Sequence, residues 1–431
     1  MDAKPHASLP VPDAHALARS TTLVARIAAE IAAAGGWLPF SRYMEMALYT
    51  PGLGYYSGAN RKFGRSAADG SDFITAPHIS PFFARALARP VADALALAEA
   101  DEVLEFGAGT GLLAAQLLNA LADDGHGATT ASRPAIRLRR YTIVELSGEL
   151  RERQRETLAQ RAPAWLDRVR WLDALPERFH GVVIGNEVLD AMPVQLHPHV
   201  GGAWFERGVA LDGTRLVWRD RPAAPPPDIP ATVRAAIDAT AVDYLIESHA
   251  AARAFIATVC AMLTRGAAIF IDYGFPAHEY YHPQRAAGTL MCHYRHQAHD
   301  DPLLYPGLQD ITAHVEFSGL TQAALDAGAD VLGYMSQARF LINAGIAEDL
   351  GRTVDPADPA RYLPAANGVQ KLLSESEMGE LFKVIGFSRG LDDVPRAFDA
   401  GDRSWTLLDE DEDEDPSDDA GCGENAGGLP T

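Results

Sequence analysis

Apolar and polar positions along this 431-residue chain fall into blocks whose spacing changes between a helical and a strand period. Over residues 14–34 apolar side chains recur at helical spacing, and Gly35-Gly36 stop the pattern. A compact aromatic segment, PFSRYMEMALYTPGLGYYSG, follows at 39–58, and a second helix is predicted over 84–100. Short apolar runs at 103–106, 141–144, 169–172, 182–185 and 267–272 predict strands. Helical patterns lie between them at 112–121, 146–161 and 250–263. Strands alternating with helices predict an α/β fold, a doubly wound and mostly parallel sheet with helices on both faces. Right-handed crossovers bring the strand ends to one edge, where ligands bind.

Two insertions interrupt this core. Residues 204–220 show partial alternation around Asp212-Gly213, a hairpin signal, and run into a Pro-rich linker at 222–230. Residues 275–307 are polar and His-rich with little periodicity. Beyond them, 311–328, 331–344 and 367–385 read as helices, and 405–408 as a closing strand. The expected organisation is an N-terminal helical and lid region (1–90), a Rossmann-like core (91–275) with its hairpin insertion, a substrate-side loop with a helical C-terminal region (276–408), and an acidic disordered tail (409–431).

A formal net charge of −21 excludes the basic stripe that a nucleic-acid surface needs and is compatible with a basic protein partner. Cys260, Cys292 and Cys422 form no CxxC pair and predict a reducing compartment. No signal peptide and no apolar run long enough to span a bilayer is evident, so the expected localisation is cytoplasmic, without membrane insertion. Oligomeric state is not legible.

The most informative run is VLEFGAGTG, 103–111, a buried strand feeding a turn with Gly107, Gly109 and Gly111 at alternate positions before a helix. Glycines let backbone approach a ligand closely, and the helix N-terminus offers free N–H groups. A dinucleotide fingerprint would need glycine where Leu112 stands, which disfavours an NAD-dependent dehydrogenase. Glu145 ends the second strand, where a carboxylate can accept both ribose hydroxyls of an adenosine, and Asp173 follows the third, on the adenine side. GNEVLDAMPV, 185–194, places Asn186, Glu187 and Asp190 beyond the fourth strand at the same edge. Such a carboxylate pair can hold a guanidinium and offset its charge without a metal; capping is the alternative for Asp190.

Together, RYMEMALYTPGLGYY, SDFITAPHISPFF, LEFGAGTG, GNEVLDAMPV, IDYG, DITAHVEF and GELFKVIGF resemble a family of class I S-adenosylmethionine (SAM)-dependent methyltransferases. The family is the one related to the mitochondrial complex I assembly arginine methyltransferase, and the likeness runs over residues 39–385. It implies SAM at Glu105, Gly107, Gly109, Gly111 and Glu145, and a lid from SDFITAP in which Thr75 and Pro77 match. Two positions depart from the family, Ser71 in place of glycine and His78 in place of glutamate.

His314 in DITAHVEF is a further candidate, to position the acceptor carboxylates or take a proton, with a core histidine as the alternative. His278, His282, His293, His296 and His299 with Cys292 match no zinc spacing, so no metal is expected. Tyr49, Tyr55 and Tyr56 suit an aromatic wall or ordinary core packing. The expected function is SAM-dependent methylation of a protein arginine, with a respiratory complex I type subunit as the partner the resemblance suggests. The alternatives are a small-molecule methyltransferase and a non-catalytic SAM-binding assembly factor.

Overall fold

The computed structural model describes residues 9–57, 75–122, 138–240 and 242–408. Its centre is an eight-stranded sheet. Seven strands form its continuous path: β1 (Glu102–Phe106), β2 (Arg140–Val144), β3 (Val169–Leu172), β4 (Phe179–Asn186), β5 (Leu263–Phe275), β6 (Asp330–Ser336) and β7 (Phe382–Arg389). Their order is β3-β2-β1-β4-β5-β7-β6, and the two-residue strand Val315–Glu316 pairs with the end of β5. All pairs along the path are parallel except those of β7, which runs antiparallel to both β5 and β6. The chain leaves β1 toward β2 and β3, then returns to place β4 on the other side of β1. That reversal opens a crevice beyond the ends of β1 and β4, the place where doubly wound sheets bind ligands.

The central strands are apolar on both faces because both are covered. Val103, Val182, Ile184 and Ile269 face a core shared with helices Pro81–Ala98 and Leu112–Ala122. Their neighbours Leu104, Val183, Ala268 and Phe270 face the opposite core, closed by helices Ala250–Met262 and Phe317–Asp326. This alternation is the strand period of two.

The crossover from β4 to β5 carries most of a second, antiparallel sheet, made of Leu38–Pro39, Gln195–Val200, Ala203–Asp212, Arg215–Pro222 and Tyr244–Ser248. The predicted hairpin is there, with Asp212 paired to Arg215 across the turn. A third sheet joins Met291–Tyr294, Gln297–His299 and Asp310–Thr312. Helix Phe40–Tyr49 packs between these two sheets through Tyr43 and Leu48, near Val209 and Ile311.

Four C-terminal expectations need correction. Residues 311–328 begin with strand Asp310–Thr312 and become helical only at Phe317. Residues 331–344 split into β6 and helix Gln337–Asn343, and 367–385 into helix Pro359–Leu373 and β7. The last segment is a 3-10 turn, Ser404–Thr406, not a strand. Short buried apolar runs carry no decisive period, and pairing with β5 decides β7. Ser71, Cys422, the first part of the SDFITAP segment and the acidic tail lie outside the described residues. Cys260 and Cys292 are buried free thiols. Among the described residues, no helix is long and apolar enough to cross a membrane.

Candidate active site

Beyond the ends of β1, β2, β4 and β5 lies a cavity of about 820 Å³. Thr75, Pro77, Glu105, Gly107, Gly109, Glu145, Asn186, Glu187, Asp190 and His314 all line it. Gly111 and Asp173 do not; Asp173 is exposed in the turn after β3.

One wall is the loop after β1. Gly107, Gly109 and Gly111 all hold positive φ, 66°, 52° and 79°, which L side chains rarely adopt. A Cβ at Gly107 would sit 2.6 Å from Val188 Cγ2, and one at Gly111 would press on the Gln154 backbone at 3.1 Å. Gln154, fully buried, ties this wall together. Its Nε2 donates to the Gly109 carbonyl and to Glu145 Oε2, both at 3.1 Å, and its Oε1 accepts from Trp171 Nε1 at 2.8 Å. The other Glu145 oxygen accepts from Ser147 N at 2.9 Å. Glu105 lies at the floor, accepting from Tyr141 Oη at 2.8 Å, and burial pushes its carboxyl up to about 8.

Thr75 and Pro77 enter from the side. Thr75 Oγ1 lies 2.9 Å from Nδ1 of His78, which also lines the cavity, and the Pro77 carbonyl accepts from Gln116 Nε2 at 3.2 Å.

The opposite wall is made of side chains. Glu187 has a φ of 55°, unusual for a residue with a Cβ, and Asn186 Nδ2 donates to its Oε1 at 2.9 Å. Burial, and then the charge of Asp190, push its carboxyl up to about 8. Asp190, itself buried, is pushed up to about 6 by the same desolvation, against a hydrogen bond from Tyr273. Asp310, Tyr273 and Val188 are among the further lining residues that the sequence does not single out. Tyr56 Oη donates to Asp310 Oδ1 at 2.9 Å, Tyr49 Oη donates to the Ala191 carbonyl at 2.9 Å, and the two rings stack at 5.6 Å. Tyr49 and Tyr56 therefore form a wall of the cavity, whereas Tyr55 is buried in the core beside them. Asp310 stands in DITAHVEF, but its place in the wall depends on Tyr56, far away in the chain. Gln154 had a signal, since it shares a helical face with the buried Leu150 and Leu158.

His314 packs edge-on against Tyr273 at 5.2 Å, and its buried Nδ1 has no hydrogen-bond partner. Burial lowers its pKa to about 4, so at neutral pH it is uncharged. Of the other histidines and Cys292, His293 lines the cavity, and no metal-holding group occurs among the described residues.

The wall after β1 suits a nucleoside-bearing cofactor. Bare backbone faces the cavity where a Cβ would not fit, a carboxylate stands at the end of β2, and Asn186 Oδ1 is a buried oxygen without a partner.

Comparison with known proteins agrees. A family model for S-adenosyl-L-methionine-dependent methyltransferases, Methyltransf_28, matches residues 86–335, more than half of the chain. The chain is similar to a Burkholderia thailandensis COG1565-superfamily protein solved with S-adenosyl-homocysteine bound, at 62% identity and a TM-score of 0.85. That likeness covers 93% of this chain and all of the other. It is also similar to the mitochondrial protein arginine methyltransferase NDUFAF7 of mouse, 28% identical over 80% of each chain. The zebrafish protein of that name is 26% identical over 84% of this chain and 86% of its own. The mouse and zebrafish relatives are named as mitochondrial, so the expectation of a cytoplasmic protein does not stand. With its cofactor SAM, this chain belongs to the S-adenosyl-L-methionine-dependent methyltransferases related to NDUFAF7.

Proposed function

We propose that the enzyme methylates the guanidinium of an arginine in a protein. The observation that carries this reading is the acidic lining of the cavity. Glu187, Asp190 and Asp310 line it opposite Glu105 and Glu145, with no lysine or arginine among its described lining residues. Burial pushes the Glu187 and Asp190 carboxyls up, and an entering cation is the ligand that draws them into their charged forms. The names of the relatives, protein arginine methyltransferases, support the same acceptor.

When bound, SAM supplies a methyl group activated on a sulfonium. Gly107, Gly109, Glu105, Glu145 and Asn186 would hold it, with Thr75 and Pro77 at its side, while Gly111 lets the loop pack closely on Gln154. Asp173 has no place in the cavity lining and receives no role. Glu187 and Asp190 accept hydrogen bonds from the guanidinium and orient one nitrogen, which accounts for much of a transfer barrier. The arriving cation draws Glu187 into its charged form. As the nitrogen gains a methyl it loses a proton, and a carboxylate pushed up to about 8 is matched to receive it. His314 stays neutral and shapes the wall beside Tyr273.

The acceptor protein suggested by the family resemblance is a subunit of a respiratory complex I type NADH dehydrogenase. The test is mass spectrometry of host proteins after incubation with isotopically labelled SAM. Label on a protein arginine, foremost in such a subunit, is the expected result. Label confined to small molecules overturns the protein acceptor, and label on another side chain overturns the guanidinium.

A further inference from the structure

We propose that Asp272 is a positioning residue for methyl transfer, holding the Glu187–Asp190 turn in the conformation that presents both carboxylates to the acceptor. The inference rests on the reading of Glu187 as an acceptor contact.

The argument begins with strand length. β5 runs thirteen residues and β4 eight, and their register ends with Ile271 beside Asn186. The next residue of β5, Asp272, therefore lies beside the chain just as it leaves the sheet. Its side chain is fully buried. Its Oδ2 accepts backbone N–H groups from Val188 at 3.0 Å, Leu189 at 2.8 Å and Asp190 at 3.3 Å, while Oδ1 accepts from Tyr273 N at 3.0 Å. Glu187 N is held by the Ile271 carbonyl at 2.9 Å. Successive N–H groups converging on one oxygen form a nest that a carboxylate fills.

That nest explains a second observation. Glu187 occupies left-handed backbone space at φ 55°, a conformation that residues with a Cβ rarely adopt. Such strain persists where surrounding bonds over-determine it. Here they come from the backbone on either side of Glu187, through Ile271 and Asp272. Burial raises the Asp272 pKa most, the charges of Asp190 and Glu187 add to it, and the N–H groups of Leu189 and Tyr273 act against the rise. An asparagine would satisfy the Oδ2 side but turn its NH2 toward the Tyr273 N–H, setting donor against donor.

The test compares Asp272→Asn, Glu187→Gln and the double variant in the full-length enzyme, with the labelled acceptor protein. Asp272→Asn is expected to lower kcat tenfold or more while SAM affinity by calorimetry stays within about twofold. If it acts through Glu187, adding it to Glu187→Gln should cost less than twofold further, because coupled sites are not additive. Unchanged kcat in Asp272→Asn, or additive losses in the double variant, overturns the proposal. Full activity in Glu187→Gln alone overturns instead the acceptor reading beneath it. If Asp272→Asn does not fold, hydrogen exchange in the wild-type enzyme decides. Val188 and Leu189 amides protected like those of β4 support the clamp, and amides exchanging like an unbonded loop overturn it.

Discussion

The two walls of the cavity are built from different materials. The side proposed for the cofactor is mostly backbone: Gly107 and Gly109 in left-handed geometry, with Gln154 bonding the loop to Glu145. The side proposed for the acceptor is side chains from separate stretches of chain, namely Tyr49 and Tyr56, Glu187 and Asp190, Tyr273, Asp310 and His314. A backbone site needs glycine at fixed spacing and reads directly from the sequence. A side-chain site needs tertiary structure to assemble it, and it carries the cost in raised carboxyl pKa values and in a strained turn. The cofactor wall should therefore fail by steric obstruction and the acceptor wall by loss of charge.

The largest effect belongs to obstruction. Gly109→Val puts a branched side chain at φ 52°, which such residues rarely adopt, in the loop proposed to hold the cofactor. SAM affinity by calorimetry should fall beyond about a hundredfold, with the melting temperature showing that the fold persists. Wild-type affinity would remove this wall from the cofactor.

Loss of charge comes next. Glu187→Gln keeps size and shape but cannot become anionic. Methyl transfer should drop about a hundredfold or more, the scale of one preorganised electrostatic contact, with SAM affinity nearly unchanged. The wild-type pH profile sharpens the point. The acceptor cation prefers ionised Glu187, whose carboxyl without it sits at about 8, so kcat/KM should rise with pH and level off above about 8. A profile with the same inflection in Glu187→Gln would assign the titration to another group.

The difference between the walls also marks how far sequence reading reached. β1 to β5 were legible as short apolar runs alternating with helices, and the glycine loop, Glu145, Glu187 and Asp190 follow from their places at strand ends. β6 and β7 were not, because KVIGF becomes a strand by pairing with β5, and YMS by pairing with β7 in turn, rather than by local period. Asp310 and Asp272 were missed for a related reason. Their roles depend on Tyr56 and on the 188–190 backbone, far away in the chain. Gln154 shows the limit of polarity as a guide, since its i+4 place between Leu150 and Leu158, and not its side-chain type, marks it as buried in a charged helix.

A smaller effect returns to the cofactor wall. Gln154→Leu preserves volume but leaves the Gly109 carbonyl, one Glu145 oxygen and the Trp171 N–H without their partner. Each lost buried bond costs about 1–3 kcal/mol, shared between stability and SAM binding. Roughly tenfold weaker SAM binding with kcat at saturation unchanged is expected. A kcat effect without weaker binding would break the division between walls.

The smallest effect crosses the division, because Glu105 is a perturbed carboxyl on the cofactor side. Its folded pKa, about 8, exceeds the ordinary 4.5, so the folded state holds a proton that the unfolded chain releases between these values. Below about 4.5 both states are protonated and the group does not affect folding. From there to about 8 stability falls as pH rises, by up to about 1.4 kcal/mol per pH unit, and above that the loss is complete. Glu187 adds a similar slope over the same window. Without SAM, the melting temperature should therefore decline from pH 5 to pH 8. Glu105→Gln mimics the neutral carboxyl and still accepts from Tyr141 Oη, so it should flatten part of that decline. An unchanged slope in Glu105→Gln would mean that Glu105 is ionised in the folded protein, leaving the raised carboxyls to the acceptor wall.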